Sequence, residues 1–298
     1  MTDRSKMPAH TPDEIRDWWA ANPMTYGEEH GATRYRAEDG RAVEVGLGTP
    51  EFFDRADRVF YAWNANLHTP QGRFAKLFDY ERHRGRPVLE VGCGMGCMAM
   101  NWAQQGARVV AVDLNPIAVR QTRQRFRIFK LQGDMMEADG RHLPFPNDAF
   151  DYVYSWGVLH HSPEIEQSIE EVYRVLRPGG TCGVMLYHRD SFLYRYTIEY
   201  LEGWLHLEGR FLDPLGLASR YGDGSRAEGN PHTWPVTKRE ALRLFGRFQD
   251  VSVKALGTDL KGILDRVFPR LGSWMPLPIL KAYARRWGWS LWITGSRP

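Results

Sequence analysis

Short apolar runs of strand length recur along the middle of the chain, separated by stretches with the polar–apolar period of a helix. Residues 88–91, 109–112 and 183–187 are three such runs. Nearly continuous apolar runs of this length are typical of strands buried on both faces of a parallel sheet. The alternation of strand and helix therefore predicts an α/β fold built on a doubly wound, mostly parallel sheet.

Helix start and stop signals define the elements between these runs. Asn115 is a suitable N-cap and Pro116 a suitable first residue for a long helix, and Gly133 is its expected stop. Further strands are predicted at residues 135–138 and 152–155.

The region before this core is more helical. Residues 1–85 contain helix starts at Thr11 and Thr49, each followed by proline. Residues 31–48 are polar and contain glycine, and we expect them to form a mobile loop.

Two insertions separate the elements that are predicted after the core. A helix is predicted from Thr237 to near Phe248, followed by strands at residues 251–256 and 290–294. This leaves residues 189–235 and 257–288 as insertions.

Composition and charge limit the classes of protein that are compatible with the sequence. The 298 residues are 43% hydrophobic, which is enough for a sizeable core, and a net charge of +3 gives no argument for nucleic-acid binding. No apolar run reaches about 18 residues, and the N-terminus lacks the apolar segment of a signal peptide, so we expect a cytoplasmic protein without a transmembrane segment. Cys93, Cys97 and Cys182 are expected to be small buried side chains rather than metal ligands.

Aromatic and basic residues are concentrated near the C-terminus. Of 11 tryptophans, four lie after residue 273, among several lysines and arginines. This pattern favours a small satellite core with a solvated basic face. Two functional interpretations stay open: a roof over an aromatic or lipid-like acceptor, and a peripheral contact with a membrane surface.

The first apolar run leads into a turn with glycine at every second position. Gly92, Gly94 and Gly96 have no Cβ to keep a ligand from the backbone, and the helix behind them presents unpaired N–H groups. Asp113 ends the next apolar run, where a carboxylate can bind ribose hydroxyls. The arrangement predicts a site for a nucleoside-containing cofactor.

Two cofactor patterns compete for this turn. Residues 94–99 fit the G-x-G-x-x-G/A pattern of dinucleotide enzymes, whereas residues 90–96 fit E-x-G-x-G-x-G. The second pattern resembles motif I of the class I S-adenosylmethionine (SAM) dependent methyltransferases. The order of the later motifs, through residues 171–180, resembles the small-molecule, type 11 subgroup that includes the quinone C-methylating enzymes. The resemblance covers residues 86–188.

The resemblance implies a Rossmann-like methyltransferase fold with a seven-stranded sheet whose last strand is antiparallel. It implies two regions: an N-terminal helical segment or lid at residues 1–85, and a SAM-dependent methyltransferase domain at 86–298. The insertions at about 189–235 and 257–288 would then be caps that cover the substrate.

The resemblance also implies a set of cofactor-binding residues. Glu90 and the glycine turn would hold the methionine part of SAM, Asp113 the ribose, and Asp139 the adenine. Asp134 competes for the adenine role, but the spacing within the family favours Asp139. The residues expected to contact SAM, and its product S-adenosylhomocysteine, are Glu90, Gly92, Cys93, Gly94, Gly96, Asp113, Leu114, Asp139, Gly140, Ser155 and Trp156.

Histidines supply the candidates for proton transfer. His160 and His161 follow a strand whose end faces the transferred methyl group in the family, and a histidine pKa near neutrality suits a general base. One of the pair is expected to be structural. His188 and Tyr26 are candidates for contact with the substrate, and no metal site is expected.

These features predict an enzyme that transfers a methyl group from SAM to a small-molecule acceptor at oxygen, nitrogen or carbon. A non-catalytic SAM-binding partner protein is the first alternative. A nicotinamide-dependent oxidoreductase is the second, although the chain shows no second mononucleotide-binding half.

Overall fold

The computed structural model describes residues 11–22, 33–222, 229–257, 260, 264 and 274–298. Strands and helices alternate through its centre, as the apolar runs predict. In chain order the strands are β1 (Arg34–Arg36), β2 (Ala42–Glu44), β3 (Pro87–Val91), β4 (Arg108–Asp113), β5 (Asp134–Glu137), β6 (Phe150–Trp156), β7 (Leu176–Tyr187), β8 (Gln249–Leu256) and β9 (Ser290–Ser296). The helices are α1 (Pro12–Ala21), α2 (Pro50–Trp63), α3 (Cys97–Gln104), α4 (Pro116–Ile128), α5 (Ile165–Val175), a π-helix (Leu193–Leu205), α6 (Pro214–Tyr221), α7 (Lys238–Leu244) and α8 (Leu277–Trp287).

Seven strands form one sheet in the order β5-β4-β3-β6-β7-β9-β8. β3 pairs in parallel with β4 on one side and with β6 on the other. β9 runs antiparallel between β7 and β8. The predicted doubly wound, mostly parallel seven-stranded sheet with an antiparallel last strand is confirmed.

The central strands are apolar on both faces because helices cover both faces. Leu89, Val91 and Val153 belong to one core cluster, with residues of α5 and α7. Val88 and Tyr154 point to the opposite face and belong to a second cluster, with residues of α3 and α4. This explains why the strands read as continuous apolar runs rather than as alternating ones.

The predicted helix starts are confirmed at atomic detail. Thr11 and Thr237 each accept a hydrogen bond from the N–H of a glutamate three residues later, whose side chain bonds back to the cap. Thr49 caps α2 and Asn115 caps α4 through the same kind of side-chain acceptor. These caps satisfy N–H groups that the first helical turn leaves without partners.

Three boundaries differ from the prediction. α4 ends at Ile128, so Gly133 is not its stop; a Cβ at Gly133 would lie 3.1 Å from the carbonyl oxygen of Val109, which explains the glycine instead. The described part of the predicted loop at residues 31–48 contains an antiparallel hairpin, formed by β1 and β2. α7 is shorter than predicted and ends at Leu244.

The described N-terminal helices pack onto the cofactor-binding half of the sheet. Asp57 of α2 forms an ion pair of 2.7 Å with Arg125 of α4, whose side chain is fully buried and also lies over the ring of Phe53. The Sγ of Cys97 donates to the same carboxylate at 3.1 Å. Asn115 Nδ2 donates to the backbone oxygen of Trp19 in α1 at 2.8 Å.

Both predicted insertions contain helices where the structure describes them. The first, at residues 189–235, holds the π-helix, a short 3-10 turn at Glu208–Arg210 and α6. The second holds α8, which contacts β8 at the sheet edge. Among the described helices, none has the length and apolarity needed to cross a bilayer.

We predict that Asp57→Ala lowers the free energy of unfolding by about 3–5 kcal/mol, because it leaves the guanidinium of Arg125 buried without its carboxylate. Arg58→Ala is the matched control on the same helix, since Arg58 forms an exposed pair with Asp54 and its loss should cost about 0–1 kcal/mol. Urea denaturation of the two variants measures both values. Equal losses would show that the buried pair does not anchor α2.

Candidate cofactor and substrate site

A cavity of about 420 Å³ opens at the carboxyl ends of the parallel strands. Its wall combines the glycine turn after β3, the loops after β4, β5 and β6, and residues of α1 and α2. Ligands of open α/β sheets bind at this edge, where the strand order reverses. The sheet therefore brings together residues that lie far apart in the sequence.

The three glycines of the turn have different physical roles. All three have positive φ angles, which favour glycine. A Cβ at Gly92 would lie 2.3 Å from Val158, and one at Gly96 would lie 2.8 Å from Thr122, so these two glycines allow close packing of the protein itself. A Cβ at Gly94 would meet no atom within 4 Å and would stand at the cavity wall. Gly96 begins α3 and does not line the cavity.

Asp113 ends β4 at the cavity wall. Its Oδ2 accepts from the N–H of Gly94 and its Oδ1 from the N–H of Asn115, both at 2.9 Å. Burial raises the pKa of this carboxyl, and the two N–H donors act against that shift. Each oxygen has a further lone pair, so the carboxylate can accept two more hydrogen bonds from a ligand.

Glu90 lies at the cavity wall with an unsatisfied oxygen. Its side chain is buried, and among the described residues its Oε2 has no hydrogen-bond partner. Burial raises its pKa well above the ordinary glutamate value. A buried acceptor without a partner is costly unless a ligand satisfies it.

Asp139 lines the cavity but is already held by a neighbour. Its two oxygens accept from Nε and Nη2 of Arg141, and Oδ1 also accepts from the Arg141 N–H. Burial alone would raise the pKa of Asp139, but the bonds from Arg141 outweigh it and lower the pKa. Asp134 is exposed at the start of β5 and does not line the cavity.

The remaining predicted cofactor residues divide between the cavity and the core. Cys93, Leu114, Gly140 and Trp156 line the cavity. Ser155 does not: its hydroxyl donates to the backbone oxygen of Val91 at 2.7 Å and the residue is fully buried. Side chains alternate along a strand, so Ser155 and its neighbour Trp156 point to opposite sides.

The adjacent histidines also have different surroundings. His161 lines the cavity, and its Nδ1 lies 2.8 Å from the backbone oxygen of His232. His160 does not line it: the ring is fully buried, 3.8 Å from the ring centroid of Tyr187, and burial lowers its pKa well below the ordinary value. The expectation that His160 is a base is therefore corrected, since a buried ring away from the cavity cannot meet a substrate there.

Of the two predicted substrate contacts, the structure describes only His188, which does not line the cavity. His188 is buried outside the cavity lining, with its Nδ1 3.0 Å from the backbone oxygen of Gly288. Burial lowers the pKa of His188 as well. Tyr26 lies outside the described residues.

Aromatic residues outside the predicted set of site residues also line the cavity. They are Trp19 of α1, Phe60 and Trp63 of α2, Tyr187 at the end of β7, and Trp289. Trp19 lies 5.2 Å from the ring of His161, and Tyr187 lies 4.4 Å from the ring of Trp289. The sequence signals for these residues were the paired tryptophans at residues 18–19, the aromatic face of α2 and the tryptophans near the C-terminus, and the first two are equally typical of core helices.

No metal site accompanies these residues within the described part of the chain, where no group of three or more histidine, cysteine or carboxylate side chains could hold an ion. Cys93, Cys97 and Cys182 are buried free thiols.

Comparison with known proteins defines the class. A family model described as a methyltransferase domain matches residues 89–184, which include the glycine turn, Asp113 and Asp139. An uncharacterized methyltransferase of Mycobacterium bovis is 30% identical over 177 residues, which cover 58% of this chain and 79% of that protein. A protein of Pyrococcus horikoshii with 16% identity shares the fold, with a TM-score of 0.53 over 85% of this chain and 94% of the other.

The chain belongs to the class I SAM-dependent methyltransferases, as the resemblance of its motifs implied. A sterol 24-C-methyltransferase of Eremothecium gossypii is 30% identical over 171 residues, covering 52% of this chain and 46% of that enzyme. The chain thus spans about half the length of the curated sterol methyltransferases that it matches.

We predict a specific pH dependence from Glu90. In the unfolded chain this carboxyl ionises near its ordinary pKa of 4.5, whereas burial holds its folded-state pKa well above that value. As pH rises from 4.5 towards the folded pKa, the wild-type protein therefore loses stability relative to Glu90→Gln, by up to about 1.4 kcal/mol per pH unit.

Urea denaturation of both proteins from about pH 4 to about pH 7 measures this difference, because all other titrating groups are common to the two. If the free energy of unfolding depends on pH in the same way in both proteins, Glu90 is not held in its neutral form.

Proposed function

We propose that this protein transfers a methyl group from SAM to a small-molecule acceptor. The observation that carries the proposal is a cavity lined by the glycine turn, by three carboxylates (Glu90, Asp113 and Asp139) and by several aromatic rings. SAM supplies a methyl group already activated by a positive sulfonium and leaves as S-adenosylhomocysteine. The protein then has to align the acceptor with that methyl group and keep water out.

Two residues at the cavity wall, Gly94 and Glu90, fit the methionine part of SAM. The open position at Gly94 lets a ligand approach the backbone, where a Cβ would otherwise stand. The unsatisfied Oε2 of Glu90 can accept a hydrogen bond from the ammonium group of the methionine part. A hydrogen bond from the ammonium group would explain why a carboxyl group occupies this buried position.

The nucleoside part would lie along the ends of β4 and β5. Asp113 can accept from the two ribose hydroxyls with the lone pairs that Gly94 and Asn115 leave. Leu114 and Gly140 would contact the faces of the adenine. Because Arg141 already binds both oxygens of Asp139, we assign Asp139 and Arg141 together, rather than Asp139 alone, to the adenine edge.

The aromatic rings that line the cavity point to an acceptor with a flat or apolar body. Trp19, Phe60, Trp156, Tyr187 and Trp289 present ring surface to the cavity, and such rings bind apolar groups through buried area and stacking. The relatives named as sterol 24-C-methyltransferases act on an apolar small molecule, which supports the same class of acceptor here.

Positioning is expected to contribute more than proton transfer. Alignment of two reactants can lower a barrier by about 7–11 kcal/mol, whereas a general base typically adds about 10²–10⁴-fold in rate. His161 is our candidate base. The carbonyl oxygen of His232 can only accept, so Nδ1 of the neutral ring carries the proton and Nε2 carries the basic lone pair.

Titration calorimetry with SAM, S-adenosylhomocysteine and NADH tests the cofactor. Binding of the first two alone supports the proposal, whereas binding of NADH would favour an oxidoreductase. A screen of acceptors by product mass then separates an enzyme from a non-catalytic SAM-binding protein, since only the enzyme adds the mass of one methylene.

We predict that Gly94→Val abolishes binding of SAM and S-adenosylhomocysteine, because its side chain fills the space at the cavity wall. Gly85→Val is the matched control: Gly85 also has a positive φ and open space around its Cβ position, but it does not line the cavity. Both variants place valine at a positive φ, so calorimetry of the two separates crowding at the site from backbone strain. Normal affinity in Gly94→Val would contradict the assignment of the glycine turn.

For an acceptor that must lose a proton, we predict that His161→Gln lowers kcat by about 10²–10⁴-fold and leaves the Kd for SAM unchanged. The same substitution at the buried His160 should affect stability instead. An unchanged kcat in His161→Gln would restrict the mechanism to positioning.

A further inference from the structure

A row of stacked aromatic rings begins at the N-cap of the π-helix and follows its outer face. Phe192, Tyr196, Tyr200 and Trp204, here called the aromatic stripe, follow one another at four-residue spacing. Successive ring centroids lie 5.0, 5.8 and 5.3 Å apart, with interplanar angles of 17, 21 and 22°. Tyr196, Tyr200 and Trp204 are 37%, 48% and 65% exposed, and the exposure increases along the helix.

The apolar surface continues beyond the end of the helix. Leu205, Leu207 and Phe211 follow the aromatic stripe in the chain, and Phe211 is 87% exposed. Isolated exposed apolar residues are ordinary, but a run of large ones over twenty residues is typical of a contact surface.

The aromatic stripe is not needed for the packing of its own helix. The inner face of the π-helix, with Tyr194 and Ile198, forms a small core with Leu217 and Ala218 of α6. Trp289 packs against this core and also lines the cavity. The stripe therefore lies on the far side of one helix from the wall of the substrate site.

Exposed basic residues lie on α8, the helix that contacts the first ring of the stripe, and one of them, Arg286, lies over the ring of Trp287. The ring of Phe192 contacts Tyr283 of α8 at 6.0 Å, and α8 carries the exposed residues Lys281, Arg285 and Arg286. Within the described ranges, no carboxylate forms an ion pair with any of these three side chains. The acidic residues of the π-helix have neighbours of their own: Glu199 pairs with Arg195, which also pairs with Asp190, and Glu202 lies 2.8 Å from Nδ1 of His206.

We propose that the aromatic stripe and the basic residues of α8 form a surface that docks onto an anionic lipid bilayer. Tyrosine and tryptophan rings favour the headgroup level of a membrane, because one part of each ring is apolar and the other can hydrogen-bond to water. Lysine and arginine side chains near the surface add attraction to anionic headgroups. The complementary charge favours a lipid surface over a second copy of this chain, which would bring the same cations together.

Flotation of the full chain with vesicles tests the proposal without any need for turnover. We expect binding to phosphatidylcholine vesicles that contain phosphatidylglycerol, with weaker binding to phosphatidylcholine alone and a further loss at high salt. The triple variant Tyr196→Ser, Tyr200→Ser and Trp204→Ser should lower the partition coefficient by at least about tenfold. Arg285→Gln with Arg286→Gln should lower it by about fivefold for each charge removed.

Matched controls lie at the opposite edge of the sheet. Phe129 is an exposed aromatic residue at the end of α4, and Phe129→Ser should leave vesicle binding unchanged. Arg120→Gln with Arg127→Gln removes two exposed charges from α4 and should have a smaller effect than the α8 pair. Thermal unfolding and binding of S-adenosylhomocysteine establish that every variant is folded, independently of the docking result.

Three outcomes would overturn the proposal: no binding of the wild-type chain to the anionic vesicles, equal binding by the stripe variant, or equal losses in the α4 and α8 charge variants. Sedimentation velocity without vesicles identifies the competing explanation. A wild-type dimer that the stripe substitutions dissociate, with no vesicle binding, would assign this surface to a protein interface instead.

Discussion

The carboxylate of Asp113 connects the two loops on which the site depends. Its oxygens accept from the N–H of Gly94 in the turn after β3 and from the N–H of Asn115 at the start of α4. Parallel pairing of β3 with β4 places both loops at the same edge of the sheet, so one side chain can reach both. The same two bonds keep the carboxylate directed at the cavity, where a ligand can use its remaining lone pairs.

The aromatic side of the cavity depends on α1 and α2, which precede the sheet in the chain. α2 is held to α4 by the buried pair of Asp57 with Arg125, and α1 by the bond from Asn115 to Trp19. Because α4 also begins at the end of β4, one helix positions both the cofactor side and the aromatic side of the cavity. The N-terminal segment is therefore anchored through the cofactor-binding half.

The sequence predicts the parts of the site whose geometry is local. The glycine turn and the acidic residue that follows the second strand need only the order of strand, turn and helix. The sequence alone does not show which of two neighbouring side chains points into the cavity, because that depends on tertiary structure. His161 lines the cavity, whereas His160 packs on Tyr187. Trp156 lines the cavity, whereas Ser155 does not. The sequence analysis also missed Trp19, because an aromatic residue on an amphipathic helix is equally typical of the hydrophobic core.

The different roles of the three glycines bear on how such a turn can diverge in evolution. Gly92 and Gly96 are fixed by contacts within the protein, with Val158 and Thr122, so any descendant that keeps the fold must keep them. Gly94 faces only the cavity and is constrained by backbone angle and by whatever binds there. A lineage that lost its cofactor would thus be free to place asparagine or aspartate at this one position, since both tolerate a left-handed backbone. Gly94 is thus the one glycine of the turn that is constrained only by its backbone angle and by a bound ligand, and not by packing against a side chain.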